Sequence, residues 1–388
     1  MTRRIIQFGT SRFLQAHVDL FVHEARCSGE DIGPITVVKT SPAPDRIGRI
    51  AAFKRGLPYP VRIRGVAAGK LVDETIEVAS VDSAYDSEHE WPAVIRCFAH
   101  EAEIAVSNSG DSGFECWGDD SAHNYASNTP PRSFPAKLLA LLLARHRETG
   151  RPLIFLPTEL VTGNGRRLAQ IVSNIAEESR QSDAFRDWLA RSVIFADTLV
   201  DRIVSEPIDP VGAVAEPYAL WAIRKGGFGE PIRHPAVRMV DDLAPFERLK
   251  LHILNLGHTV LADVWMKERR AADETVRAIL GDAAVSKTLA AIYEEEVVPA
   301  FTLHEMGDEA QDYVAATWER FRNPFLEHRL ADIHQNHDVK LRRRVADLLD
   351  WVRRREPSFA APRLTAMLLG RSRKGQNDDM SKQLADEE

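Results

Sequence analysis

The chain has 388 residues, 44% hydrophobic and 28% charged, with a formal net charge of −7. That length exceeds one ordinary hydrophobic core and predicts two domains. The modest negative charge excludes an electrostatic drive toward nucleic acid or an anionic membrane, so a small-molecule partner is expected.

The three cysteines, Cys27, Cys97 and Cys116, are widely spaced and form neither zinc-type pairs nor a disulfide framework. At the N-terminus, "MTRRIIQFGTSRF" enters a short apolar strand with no signal-peptide h-region. The most apolar later run, "LLALLLA" at 138–144, is far short of the roughly 20 residues of a membrane span. These features predict a cytoplasmic protein.

In chain order, "RIIQFG" reads as a buried strand, "RFLQAHVDLFVHEARCSG" as a helix stopping near Gly29, and "ITVVKTSP" as a second buried strand, which makes a βαβ unit. "YPVRIRGVAAGKLVDETIEVASV" alternates polar and apolar residues around a turn near Ala68–Lys70, the pattern of an inserted antiparallel hairpin. Strands at "AEIAVSNSG" and "RPLIFLPTEL" flank the helix "FPAKLLALLLARHRETG", which closes on Gly150. From about Asp241 strand signals vanish. "PFERLKLHILNLGHTVLADVWM", "SKTLAAIYEEEVVPAF", "AQDYVAATWERF" and "KLRRRVADLLDWVRRR" follow as amphipathic helices. The predicted architecture is α/β plus α: a Rossmann-like, doubly wound sheet with an inserted β-hairpin over 1–240, and an all-helical domain over 241–370. The polar stretch 371–388 reads as a disordered tail.

The turn after the first strand, "FGTSRFL", carries Gly9, and Ser11 where a dinucleotide fingerprint has its second glycine; Leu14 takes the third position. Small residues there let helix amides approach a pyrophosphate. One Gly and one Ser also occur in ordinary strand-to-helix turns. The end of the second strand, where an acid would bind the ribose of NAD, carries Lys39 and Thr40, with Asp45 and Arg46 beyond. A lysine and hydroxyls there suit a 2′-phosphate as well as a ribose, so the choice between NAD and NADP stays open.

"KLHILNLGH", 250–258, sets three polar residues into an apolar helix. At 100° per residue, Asn255 lies about 140° and His258 about 80° from Lys250, so the three share a little over a third of the circumference. A snorkelling lysine beside a core histidine is the ordinary explanation. The trio also suits hydride transfer at a secondary alcohol. A partly desolvated lysine can take the hydroxyl proton or return it, and fixed donors can hold the developing alkoxide. No metal is required.

"ERLKLHILNLGHTVL" resembles the catalytic helix of the mannitol dehydrogenase family, the polyol-specific long-chain dehydrogenases. "FGTSRFLQAH" resembles that family's cofactor turn, "VSNSGDSG" its strand-end segment beside the nicotinamide, "PTELVTGNG" its Cys-Glu-Leu-Ile…Asn-Gly segment, and "TLVDRIVSEP" its Val-Asp-Arg-Ile motif. "IYEEEVVPAF" and "RFRNPFLEH" resemble segments of the tagaturonate reductase branch. The likeness runs from about residue 3 to residue 370. Thr158 stands where the family has cysteine. Leu160, where mannitol enzymes have asparagine, points to the uronate branch, although the chain is shorter than such reductases.

The resemblance implies Lys250 as general acid/base, with Asn255 and His258 orienting substrate and stabilising the oxyanion. It places Asp201, Arg322, Asn323 and His328 at the substrate, and Phe8, Gly9, Thr10, Ser11, Arg12, Phe13, Ser107, Asn108 and Ser109 with Lys39 and Thr40 at an NAD(P) cofactor. Asp201 has a structural alternative in contact with Arg202, and Asn323-Pro324 in a helix boundary. Arg202 and Arg322 could pair with a carboxylate, which favours a tagaturonate-like keto sugar acid. The alternatives are a polyol or sugar-phosphate dehydrogenase, or an NAD(P)-sensing protein without chemistry. A metal site at His334 and His337 lacks a completing ligand.

Overall fold

The computed structural model describes residues 3–41, 47–110 and 113–369. Asp45, Arg46 and the tail expected over 371–388 lie outside them. The chain divides into two compact units, residues 1–64 with 73–243 and residues 65–72 with 244–388.

In the first unit, β1 (Arg3–Phe8) and β2 (Ile32–Lys39) frame the first helix. The hairpin β3 (Tyr59–Ala67) and β4 (Lys70–Val78) follows, then β5 (Val81–Asp86), β6 (Ala102–Ser107), β7 (Leu153–Pro157) and β8 (Val193–Phe195). The main sheet has the order β5-β2-β1-β6-β7-β8, and all its pairings are parallel. Strand order therefore reverses between β1 and β6, the switch point at whose carboxyl edge open α/β sheets bind ligands. Strands covered on both faces read as nearly continuous apolar runs. Accordingly Ile5, Ile6, Val37, Val38, Ile104 and Phe155 are at most 1% exposed.

One face packs on helices Trp91–His100, Phe134–Glu148 and Asn164–Glu178. Phe8 sits among Phe98, Phe134 and Phe155, with ring centroids 5.6–6.3 Å away. The helix Phe134–Glu148 starts where Ser133 caps the Ala136 amide. It stops at Gly150, whose φ of +61° and bond to the Arg145 carbonyl form the expected C-terminal cap.

The hairpin turns at Ala68 (φ +50°) and Gly69 (φ +73°), as the mirror-image turns of tight hairpins require. It joins a second sheet of order β10-β11-β3-β4, with β9 (Thr198–Asp201), β10 (Val204–Pro207) and β11 (Ala213–Ala215) next along the chain. A third sheet, β13-β12-β9, adds β12 (Leu220–Arg224) and β13 (Val237–Val240). These strands of three to five residues are too short to show periodicity, and only their partners define them.

The second unit groups the hairpin tip with helices. There the Gly69 amide donates to Glu319 (2.7 Å). Ile253, Leu256, Leu261, Leu289, Phe301, Val345 and Leu348 are fully buried and form its core. Of the four amphipathic helices expected, three depart from regular α geometry. π turns interrupt them at Lys250–Leu254, Tyr293–Val297 and Arg342–Ala346. Among the described residues no helix is long and apolar enough to cross a membrane.

Candidate active site

At the switch point, the last pair of the β1/β6 register is Phe8–Ser107. Gly9 follows with φ +125°, and a Cβ there would stand 2.7 Å from the Asn108 carbonyl oxygen. Only glycine fits this close crossing. The Gly9 amide donates to Val38 O (2.9 Å) and the Asn108 amide to Phe8 O (3.0 Å), which ties the ends of β1, β2 and β6 together. Ser11 caps the next helix by accepting from the Leu14 amide, and its hydroxyl donates to Asn108 Oδ1 (3.0 Å). The Thr10 hydroxyl is buried and has no hydrogen-bond partner among the described residues. The turn thus offers a cradle without a side chain and an orphaned hydroxyl, as a dinucleotide pyrophosphate requires.

The segment after β6 is held from below by Glu159, a buried carboxylate. It accepts from the Ser107 hydroxyl (3.0 Å), the Ser109 amide (2.9 Å) and the Ser109 hydroxyl (2.7 Å). Thr158, in the family's cysteine position, donates its hydroxyl to Ser107 O (2.7 Å) and accepts from the Asn108 amide group (3.2 Å). Arg12 is exposed, and half-buried Phe13 stacks on His17 at 4.8 Å. His17 is fully buried and pushed down to about 3 by desolvation, so it is neutral.

Lys39 departs from expectation. It is 3% exposed and its ammonium pairs with Asp86 (3.1 Å) at the end of the neighbouring strand. Lys137 is likewise buried and binds Glu88 (2.9 Å), Thr40 O (3.1 Å) and Arg132 O (3.4 Å). Both ammoniums are engaged by the protein, because burying a lysine demands a paired charge. Thr40 offers its carbonyl inward.

Asp201 is the last residue of β9 and is 3% exposed. Arg202 is turned to the backbone of its own unit. It donates to Glu216 O (3.0 and 2.9 Å) and Ala16 O (2.6 Å), and burial lowers its pKa to about 10. Each of its three nitrogens thus donates to a backbone carbonyl.

In the helical unit, helix Ala244–Leu249 passes into the π turn Lys250–Leu254 and then into helix Asn255–Lys267. A π turn absorbs about one extra residue, so Asn255 and His258 stand roughly where the fourth and seventh residues after Lys250 would in a plain α-helix. At about 100° per residue these directions are roughly 40° to one side of Lys250 and 20° to the other. The interruption brings the three side chains onto one face more tightly than regular geometry predicts.

Lys250 and Asn255 are half-buried and His258 is buried. His258 packs against Phe321 (4.6 Å) and edge-on to His328 (4.7 Å), so the structure unites two of the expected residues. Desolvation, then His328, Arg320, Arg344 and Lys340, hold His258 well below the usual histidine range. Burial also lowers His328. Both imidazoles are neutral at pH 7. Arg322 is instead exposed over the Trp318 ring (4.9 Å). Asn323 serves the helix boundary: its Oδ1 accepts from the Phe325 amide (2.9 Å), just past the end of helix Gly307–Phe321. Sequence reasoning missed Lys340 and Arg344, which lie in a basic run that reads as a solvated face. Lys340 donates to Ile333 O (2.6 Å), and burial, then Arg344, lowers its pKa. His334 and His337 stack at 4.6 Å, with His337 Nε2 3.5 Å from Asp263.

Family models cover almost the whole chain: the mannitol dehydrogenase Rossmann domain matches residues 3–232, and the mannitol dehydrogenase C-terminal domain matches residues 242–386. The chain belongs to the mannitol dehydrogenase family. Membership makes it an oxidoreductase of CH–OH groups. Altronate oxidoreductase of Yersinia pestis bv. Antiqua (strain Nepal516) is 31% identical over 94% of this chain and 78% of its own length. That of Pectobacterium carotovorum subsp. carotovorum (strain PC1) is 32% identical over 94% and 77%. Two solved structures share the fold. A D-sorbitol dehydrogenase has a TM-score of 0.75 at 16% identity, over 89% of this chain and 75% of its own. The Pseudomonas fluorescens mannitol 2-dehydrogenase, solved with NAD and D-mannitol, has a TM-score of 0.70 at 18% identity, over 90% and 75%.

Proposed function

We propose that this mannitol dehydrogenase family member is an NAD-dependent oxidoreductase that interconverts a keto sugar acid of the tagaturonate class and its hydroxy acid. The observation that carries the choice of an acid is the cations gathered at the His258 helix: Arg344 donates to Asn255 O and to the Thr259 hydroxyl next to His258, and buried Arg320 precedes Phe321, which packs on the His258 ring (4.6 Å). An anion is attracted to such a field, which has less to offer a neutral polyol. The altronate oxidoreductase relatives support the same class.

Bound at the β1/β6 switch point, the nicotinamide cofactor would supply or accept the hydride. Gly9, Thr10 and Ser11 would hold its pyrophosphate, and the Glu159-anchored Ser107–Ser109 segment would border its reactive end. NAD is favoured over NADP because Lys39 and Lys137 are already engaged with Asp86 and Glu88.

Lys250 acts as general acid/base: it donates a proton to the carbonyl oxygen as the keto acid is reduced and removes the hydroxyl proton in the reverse direction. Neutral His258 and the Asn255 amide donate to the same oxygen as its charge develops. Fixed donors away from bulk water stabilise it without reorganising. No step calls on a metal.

The test follows NADH and NADPH absorbance with a panel of keto sugar acids, ketoses and ketose phosphates, with and without chelator. Turnover of a keto sugar acid with NADH that survives chelator and is lost in Lys250→Ala supports the proposal. Unchanged turnover in that variant would sink the mechanism. A preference for ketoses or ketose phosphates would overturn the substrate, and cofactor binding without any turnover would favour a sensor.

A further inference from the structure

The π turn that begins at Lys250 is held from outside its own helix. Shifting a helix from α to π spacing leaves carbonyls without their usual intrahelical partners, and buried ones must find others. Within the turn, Ile253 O accepts from the Tyr293 hydroxyl (2.9 Å); just past it, Asn255 O accepts from Arg344 Nη1 (3.1 Å) as well as from the Thr259 hydroxyl of its own helix (3.0 Å). The same Nη1 reaches the Thr259 hydroxyl (2.9 Å), and the Arg344 carbonyl contacts His252 Nδ1 (3.0 Å). Both donors come from the unit's other π turns: Tyr293 opens Tyr293–Val297 and Arg344 lies within Arg342–Ala346. Gly257 completes the arrangement, because any Cβ there would collide with the Tyr293 hydroxyl and the Phe321 ring.

We propose that Tyr293 and Arg344 are positioning residues that fix the register of the Lys250 π turn and so aim Lys250, Asn255 and His258 at one point. The inference rests on the proton-transfer role given above to Lys250. It follows from rotation: if the turn relaxed to α spacing, every residue after it would swing by about 100° relative to Lys250. The trio would then spread over roughly 140° while the helix kept its length and most of its packing. Tyr293 is buried and held protonated by desolvation, so its hydroxyl is a permanent donor. Neither residue needs to touch substrate to act this way.

The experiment compares wild type, Lys250→Ala, Tyr293→Phe and Arg344→Lys as full chains. Phenylalanine keeps the ring and removes only the hydroxyl, and lysine keeps the charge and loses the fork. Turnover, KM for the keto acid, the pH profile, NADH affinity by fluorescence and thermal midpoint are measured for each. The expected result for Tyr293→Phe is a kcat lowered by about 10- to 100-fold, with a displaced pH profile, NADH affinity within about twofold and KM nearly unchanged. Arg344→Lys should move kcat and the pH profile in the same direction. Wild-type kcat and pH profile in both variants, beside an inactive Lys250→Ala, would overturn the positioning role and leave the catalytic one standing. A loss of kcat that only tracks NADH affinity or the fraction folded would also overturn it. An active Lys250→Ala would instead remove the reading on which the inference rests.

Discussion

The Tyr293 hydroxyl crosses the helix of the candidate lysine directly over Gly257, in space that any larger residue would fill. It passes there to reach Ile253 O, so glycine at 257 and tyrosine at 293 are one device in two places. Gly257→Ala should therefore destabilise the helical unit by about 1–3 kcal/mol, as overpacking does, and lower turnover with it. Adding Tyr293→Phe removes the oxygen end of the clash but not the Phe321 end. The double variant should be more stable than the sum of the single effects, and strictly additive urea midpoints would contradict the coupling.

Gly9 carries the corresponding constraint at the switch point. Gly9→Ala asks for a left-handed φ and a Cβ 2.7 Å from Asn108 O, so the strand ends must part. NADH affinity, read by fluorescence titration, should fall at least about tenfold, the loss of roughly 1.4 kcal/mol of binding. An affinity equal to wild type would show that the cofactor does not approach this turn.

Glu159 gathers three donors from Ser107 and Ser109. Glu159→Gln replaces one acceptor oxygen with a donor and strands at least one of them. The expected cost is about 1–3 kcal/mol in urea denaturation, with a raised KM for NADH. Unchanged stability and KM would mean that the segment holds its shape without the carboxylate.

Asp19 provides a pH test independent of the chemistry. It is fully buried and burial raises its pKa to about 7, against the opposing hydrogen bond from the Tyr59 hydroxyl (2.6 Å). A carboxyl raised in the folded state contributes stability that is fully present below the unfolded value near 3.8 and is lost as pH rises through about 7. Wild type should lose stability between pH 4 and pH 8, by at most roughly 4 kcal/mol at about 1.4 kcal/mol per pH unit. Asp19→Asn should flatten that slope in urea denaturation. An equal slope in both proteins would assign the dependence elsewhere.

Much of this molecule was legible locally. The strands around "RIIQFG" and "ITVVKTSP", the hairpin turn at Ala68–Gly69 and the helix cap at Gly150 all follow from short-range periodicity and turn chemistry, which neighbouring residues set among themselves. The spacing of Lys250, Asn255 and His258, the glycine at position 9 and the ordered motifs sufficed to recognise the family. What needed the tertiary structure were the relationships between distant segments. A lysine at a strand end reads as a ligand until Asp86, 47 residues on, is found beside it. Arg202 shows its bond to Ala16 O, and Arg344 its bond to the Thr259 hydroxyl next to His258, only once the fold brings those segments together. The π turn at Lys250 belongs to the same class, because the hydroxyl that donates to its Ile253 carbonyl lies 40 residues away in sequence. The sequence by itself determined the long periodic elements and the family, through local periodicity and the spacing of its motifs; only the tertiary structure decided the short strands, the π turns and what each buried polar side chain meets, because those depend on partners that the fold brings from distant segments.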